Sequence, residues 1–183
     1  MSQEPIPASA YDMDHEEEVE ERRTLAVLVD NEPGVLGRVV GLFSARGYNI
    51  ESLTVAEVDR SKRRSRITIV TTGTAHMLEQ IEAQLLRLVP VAAVVDITKS
   101  KRGIERELAL VKVAGKNEKR VEALRIAEIF RARVIDTTNE SFIFEITGAS
   151  DKIDQFTELM EPLGLKEVSR TGVLSIRRGK DAG

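Results

Sequence analysis

The sequence predicts an α+β protein built from two consecutive ferredoxin-like βαββαβ domains. From Thr24 to Thr98, apolar residues alternate with period 2 or recur at helical spacing, in the order strand, helix, strand, strand, helix, strand. The same order returns between Leu108 and Ile176. The stretch Lys99–Arg106 is charged and carries Gly103, the only glycine between the two patterns, so it reads as a linker. The expected units are residues 23–98 and 107–179, joined by 99–106, with an acidic tail over 1–22 and a short tail over 180–183.

In the first unit, Thr24–Val29 (TLAVLV) reads as a buried strand, broken by Pro33 and Gly34. Val35, Leu36, Val39, Val40, Leu42 and Phe43 follow at helical spacing, and Gly47 stops a helix over Val35–Arg46. Strands are expected at Asn49–Glu57 and Ser65–Thr72. A helix over Ala75–Leu88 gathers Met77, Leu78, Ile81, Leu85 and Leu88 on one side, Pro90 prevents its continuation, and Val91–Ile97 supplies the last strand. Each helix has a single apolar side, which suits two helices covering one face of a four-stranded antiparallel sheet. On the other face, Ala26, Leu28, Thr54 and Val70 are too apolar for open water, so self-association is expected.

The second unit reads as a strand at Leu108–Val113, a helix at Glu118–Phe130 with Asn117 as N-cap, and strands at Arg133–Thr138 and Phe142–Thr147. A helix at Asp151–Leu163 capped by Ser150 and a strand at Lys166–Ile176 complete it.

Composition narrows the chemistry. At 183 residues and 42% hydrophobic the chain can bury a real core. There is no Cys, which removes disulfides, thiolate metal sites and cysteine nucleophiles. The two histidines, His15 and His76, lack the companions of a metal or Ser-His-Asp site. No apolar run approaches the roughly 20 residues of a membrane span, and the N-terminus lacks the basic-then-apolar order of a secretory signal, so a cytoplasmic protein with no membrane partner is expected. Residues 1–21 hold eight carboxylates and no Lys or Arg, a composition that cannot offset its ordering entropy and reads as a disordered tail. The remaining 22 carboxylates face 27 Lys and Arg, a balance near +5.

A sheet that binds RNA presents stacking aromatics, yet the strand Ser65–Thr72 has none, so no nucleic-acid partner is expected. The basic cluster Lys62, Arg63, Arg64 and Arg66 reads as a solvated hairpin tip, although four such charges also suit phosphates or a protein partner.

The order strand, turn, helix at Val29–Leu36 leaves the first N–H groups of the helix without intrahelical partners, at the positive end of its dipole, where a carboxylate fits. Gly34 has no side chain, so a ligand can approach the backbone. Asn31 and Asn49 can accept from an ammonium as well as donate, and together they offer a grip on an amino acid. The same residues also make an ordinary turn. Asp30, Glu32 and Glu51 flank the turn without a His, Cys or Lys to pair with, so no catalytic site is expected.

The run NEPGVLGRVVGLFSARGYNIESLTVA (Asn31–Ala56) resembles the amino-terminal ACT domain of the regulatory (small) subunit of acetolactate synthase, also called acetohydroxyacid synthase. The resemblance continues through SRITI (65–69), LEQIEAQL (78–85), RELALVK (106–112), IFRARVID (129–136) and SRTGV (169–173), and covers residues 23–179. It implies a chain with no catalytic activity and no cofactor of its own. The partner is a catalytic subunit, in which thiamine diphosphate, magnesium and FAD are expected. The resemblance further implies activation of that partner, feedback inhibition by valine, and a homodimer through the ACT domains with the effector between them. Matched onto this sequence, the N–H groups around Gly34–Leu36 hold the valine carboxylate, Asn31 and Asn49 meet its ammonium, and Val35 and Leu36 line the side-chain pocket. The acidic N-terminal tail departs from the short N-terminus associated with bacterial members of the family.

Overall fold

The structure is a computed structural model that describes residues 19–99 and 103–180; expectations for 1–18, 100–102 and 181–183 lie outside the described residues. The first unit runs β1 (Glu20–Asp30), α1 (Val35–Ser44), β2 (Ser52–Asp59), β3 (Arg64–Thr74), α2 (Ala75–Leu85) and β4 (Val91–Asp96). Its strands form an antiparallel sheet in the order β2-β3-β1-β4. Leu25, Val27, Val29, Ile67 and Ile69 turn one face of that sheet toward Val39 and Phe43 of α1 and Leu78, Ile81 and Leu85 of α2, making one continuous core. Thr74 starts α2 by accepting a hydrogen bond from the N–H of Met77 through its hydroxyl, at 3.3 Å.

The strand β1 begins inside the stretch expected to be tail, with Glu20 opposite Thr74 and Glu21 opposite Gly73. The reason is electrostatic. Arg23, buried in the sheet, is held by Glu21 at 2.8 Å and faces Asp96 of β4 at 3.6 Å, so Glu21, which looks solvated in isolation, has a partner.

The second unit runs β5 (Gly103–Val113), α3 (Glu118–Phe130), β6 (Arg133–Thr137), β7 (Phe142–Gly148), α4 (Ser150–Gly164), β8 (Leu165–Arg170) and β9 (Leu174–Arg177). The sheet order is β6-β7-β5-β8, with β9 pairing the first half of β5. The core is aromatic at its centre, where Phe156 of α4 lies 5.5 Å from the Phe130 ring and 6.0 Å from that of Phe144.

Five expectations need correction here. Residues 103–106 are not linker, because Gly103–Arg106 pair with Leu174–Arg177 and extend β5. The single strand expected over Lys166–Ile176 is two strands, broken at Thr171–Val173 where Gly172 takes φ +82. Asn117 stands at the N-cap position but makes no side-chain cap bond, and Ser150 is already helical, its hydroxyl donating to Glu107 at 3.2 Å instead. The outer face of the first sheet is also not left wholly to self-association. Ser52 and Thr54 on that face bind Val173 of the same chain, which is only 2% exposed.

Candidate functional site

At the end of β1 the chain is pinned from two sides before it turns. The N–H of Asp30 donates to the carbonyl of Pro90 at 2.8 Å, and that of Asn31 to the carbonyl of Arg63 at 2.7 Å. Gly34 then occupies the N-cap of α1 in the left-handed region, φ 84 and ψ −5, with no side-chain cap and no acidic residue in the first turn. Among the described residues, no backbone carbonyl accepts from the N–H of Leu36 or Gly37. Two donors at the positive end of a helix therefore face outward uncompensated, a geometry that suits an anion. A Cβ built on Gly34 meets nothing within 4 Å, so the space over the turn is open.

The expected lining residues divide. Leu36 is 38% exposed beside the turn, whereas Val35 is 7% exposed and belongs to the core with Val39 and Leu42. Of the two, only Leu36 presents its side chain to solvent beside the turn. Asn31 and Asn49 are both exposed, but one chain does not bring them together. Asn31 is tied to Arg63 at the end of β1, while the carbonyl of Asn49 accepts from the Thr71 hydroxyl at 2.6 Å, just before β2 begins. The register sets Asp30 opposite Arg64 and Thr24 opposite Val70, which in turn faces Ser52. The two asparagines thus lie at opposite ends of the sheet, about 25 Å apart at a rise of about 3.3 Å per residue. Since β1 and β2 run parallel, with β3 between them, the end of one and the start of the other cannot coincide.

The basic cluster also divides. Lys62 and Arg63 occupy the turn, Arg63 with a positive φ of 49°, while Arg64 and Arg66 enter β3. Arg64 faces Asp30 at 3.8 Å and Lys62 faces Asp59 at 4.0 Å. Arg66 lies across the outer face with its Nε and one terminal nitrogen buried and unpaired, and this desolvation lowers its pKa.

A second polar constellation carried no signal of function in the sequence. A cleft of about 490 Å³ opens between the two units, lined among others by Arg22, Glu51, Ser52, Glu107, Asp154 and Arg170. Arg170 grips Glu107 with two nitrogens, at 2.8 and 2.6 Å, and also binds Asp154. That pairing holds the Glu107 carboxyl below the usual glutamate range and raises the pKa of Arg170. With both oxygens engaged, Glu107 is a structural anchor rather than a free base. Among the described residues no cluster of His, Cys, Asp and Glu could hold a metal ion, and no helix is long and apolar enough to cross a membrane.

Known proteins match this chain along nearly its whole described length. A family model for the acetohydroxyacid synthase small subunit-like ACT domain matches residues 25–93, and one for the small subunit of acetolactate synthase matches residues 106–179. The probable acetolactate synthase small subunit of Archaeoglobus fulgidus is 48% identical over 86% of this chain and 98% of its own length. That of Haemophilus influenzae is 47% identical over 87% and 97%. The crystal structure of the acetolactate synthase small subunit from Thermotoga maritima superposes with a TM-score of 0.79 at 38% identity, covering 88% of this chain and 99% of that one. With both units matched in order and close to half the residues identical to full-length relatives, the chain belongs to the acetolactate synthase small subunit family.

Proposed function

We propose that this chain is the non-catalytic regulatory partner of a thiamine diphosphate-dependent acetolactate synthase catalytic subunit in the cytoplasm. It raises that subunit's activity and makes it sensitive to valine. Magnesium, FAD and thiamine diphosphate belong to the catalytic partner. The observation that carries the regulatory site is the uncapped N-terminus of α1, where left-handed Gly34 exposes the N–H groups of Leu36 and Gly37 beside Asn31. An amino-acid carboxylate fits there.

The separation of Asn31 and Asn49 favours a site shared between two copies. The strand β2 is an edge strand with Val55 and Val58 exposed, a surface that invites pairing with another edge. Two copies related by a two-fold axis and joined antiparallel along β2 would bring the start of β2 in one toward the glycine turn of the other. Each dimer then holds two sites, each with Asn31, Gly34 and Leu36 from one copy and Asn49 from the other. The second domain contributes to the catalytic-subunit contact or to dimerisation.

Inhibition is linkage in this scheme. If valine disfavours the activated complex, complex formation weakens valine binding by the same factor, about 5 to 150-fold for couplings of about 1 to 3 kcal/mol. The test is acetolactate formation by the purified cognate catalytic subunit, with and without this chain, across a valine titration. Activation reversed by valine is expected. Activation without valine sensitivity would remove the Asn31, Gly34, Asn49 site and keep the partner.

A further inference from the structure

The contact between the two domains is built around one backbone unit. The N–H of Val173 donates to the Ser52 hydroxyl at 2.9 Å, and the Val173 carbonyl accepts from the Thr54 hydroxyl at 3.1 Å. Ser52 and Thr54 are two residues apart on β2 and therefore share a face. Their hydroxyls satisfy both polar groups of a nearly buried residue, which would otherwise be orphaned. The segment is shaped for this contact. Gly172 has φ +82, and a Cβ there would stand 2.7 Å from the Ser52 oxygen and 3.0 Å from that of Thr54. On the far side, Arg170 is fixed to Glu107 and Asp154, and β9 is paired with β5. Arg22 reinforces the junction, lying 3.4 Å from Glu51 of the first domain and 3.4 Å from Glu105 of the second.

The clamp also lies close to the candidate effector residues. Ser52 follows Asn49 by three residues, and the intervening chain is tied to β3 by the Thr71 hydroxyl on the Asn49 carbonyl and by the Glu51 N–H on the Val70 carbonyl. A shift of Asn49 therefore acts on Ser52 with little slack between them. We propose that the Ser52 and Thr54 hydroxyls on Val173 couple effector occupancy at Asn49 to the position of the C-terminal domain. This inference rests on the regulatory reading above and assigns Ser52, Thr54 and Gly172 as positioning residues that do not touch the effector.

The experiment compares wild type with the double variant Ser52→Ala, Thr54→Val, and with Gly172→Ala. For each, valine binding to the isolated chain is measured by calorimetry, and valine inhibition is measured in the complex with the catalytic subunit. The clamp variants are expected to bind valine with wild-type affinity and to activate, while half-inhibition requires at least about fivefold more valine, the lower end of ordinary coupling. Thr54→Ser, which keeps the hydroxyl, is expected to behave as wild type. The double variant adds no bulk, since Ser52→Ala removes an oxygen and Thr54→Val exchanges a hydroxyl for a methyl, so it keeps the test open if Gly172→Ala does not fold. Inhibition of the double variant at the wild-type valine concentration and extent would overturn the proposal. Failure of the wild-type chain to bind valine would instead overturn the regulatory reading, and the proposal with it.

Discussion

Arg170 holds Glu107 by both carboxylate oxygens, Nε to one at 2.8 Å and a terminal nitrogen to the other at 2.6 Å, and Glu107 is only 5% exposed. Removing the guanidinium strands a buried carboxylate. Arg170→Met should therefore lower stability at neutral pH by about 2 kcal/mol, short of the roughly 3–5 kcal/mol of a fully buried pair because 34% of the Arg170 side chain meets solvent. Urea unfolding of the second domain measures this.

The same pair predicts a pH dependence. Since the folded pKa of Glu107 lies below its unfolded value, the ion pair stabilises the fold above the ordinary glutamate range, and its contribution is lost as pH falls through the depressed value. The stability gap between wild type and Arg170→Met should narrow on acidification once pH falls below the ordinary glutamate range, and close below the depressed Glu107 value. A gap that stays constant would remove the ion pair as its source.

Gly34→Asp should abolish valine inhibition while leaving activation largely intact. The new side chain meets open space, so the fold survives, but it puts a carboxylate where the effector's own would sit and forces a non-glycine residue to φ +84 at a cost of about 1 kcal/mol. Valine titration of the reconstituted enzyme and a thermal melt together check both halves of the expectation.

Asn31→Ala and Asn49→Ala should each remove valine sensitivity alone, yet a hybrid dimer of one chain of each should recover half the sites. One of its sites then lacks both asparagines, and the other has both. Equal insensitivity of the hybrid and the parent dimers would point to a site built within one chain.

Phe156→Ala should cost about 3–5 kcal/mol, since Phe156 is fully buried against Phe130 and Phe144. Two cores imply two unfolding units, so the loss should appear in one transition and spare the tryptic resistance of residues 20–98.

Element order was legible because apolar periodicity is local, and the helix Ala75–Leu85 follows it, burying Leu78, Ile81 and Leu85 on one side. The break at Thr171–Val173 was not, because the residues on either side continue the alternation, and a lone Gly172 does not disclose that the two pieces pair with opposite halves of β5. The turn at Asn31–Gly34 was equally readable from its residues. The inward orientation of Val35 was already implied by its spacing to Val39 and Leu42, and the distance between Asn31 and Asn49 by the parallel crossover from β1 to β2. No periodicity signals a pairing such as Ser52 with Val173, which depends on how the two domains dock.

That pairing also sets a timetable for synthesis. Thr54 leaves the ribosome 119 residues ahead of Val173, a delay of about 6 to 24 s at ordinary elongation rates of about 5–20 residues per second. Throughout that interval the outer face of the first sheet has no Val173 to cover Ser52 and Thr54. A chain that ends before Gly172 therefore lacks the backbone unit that satisfies Ser52 and Thr54, and its first domain meets solvent at both hydroxyls.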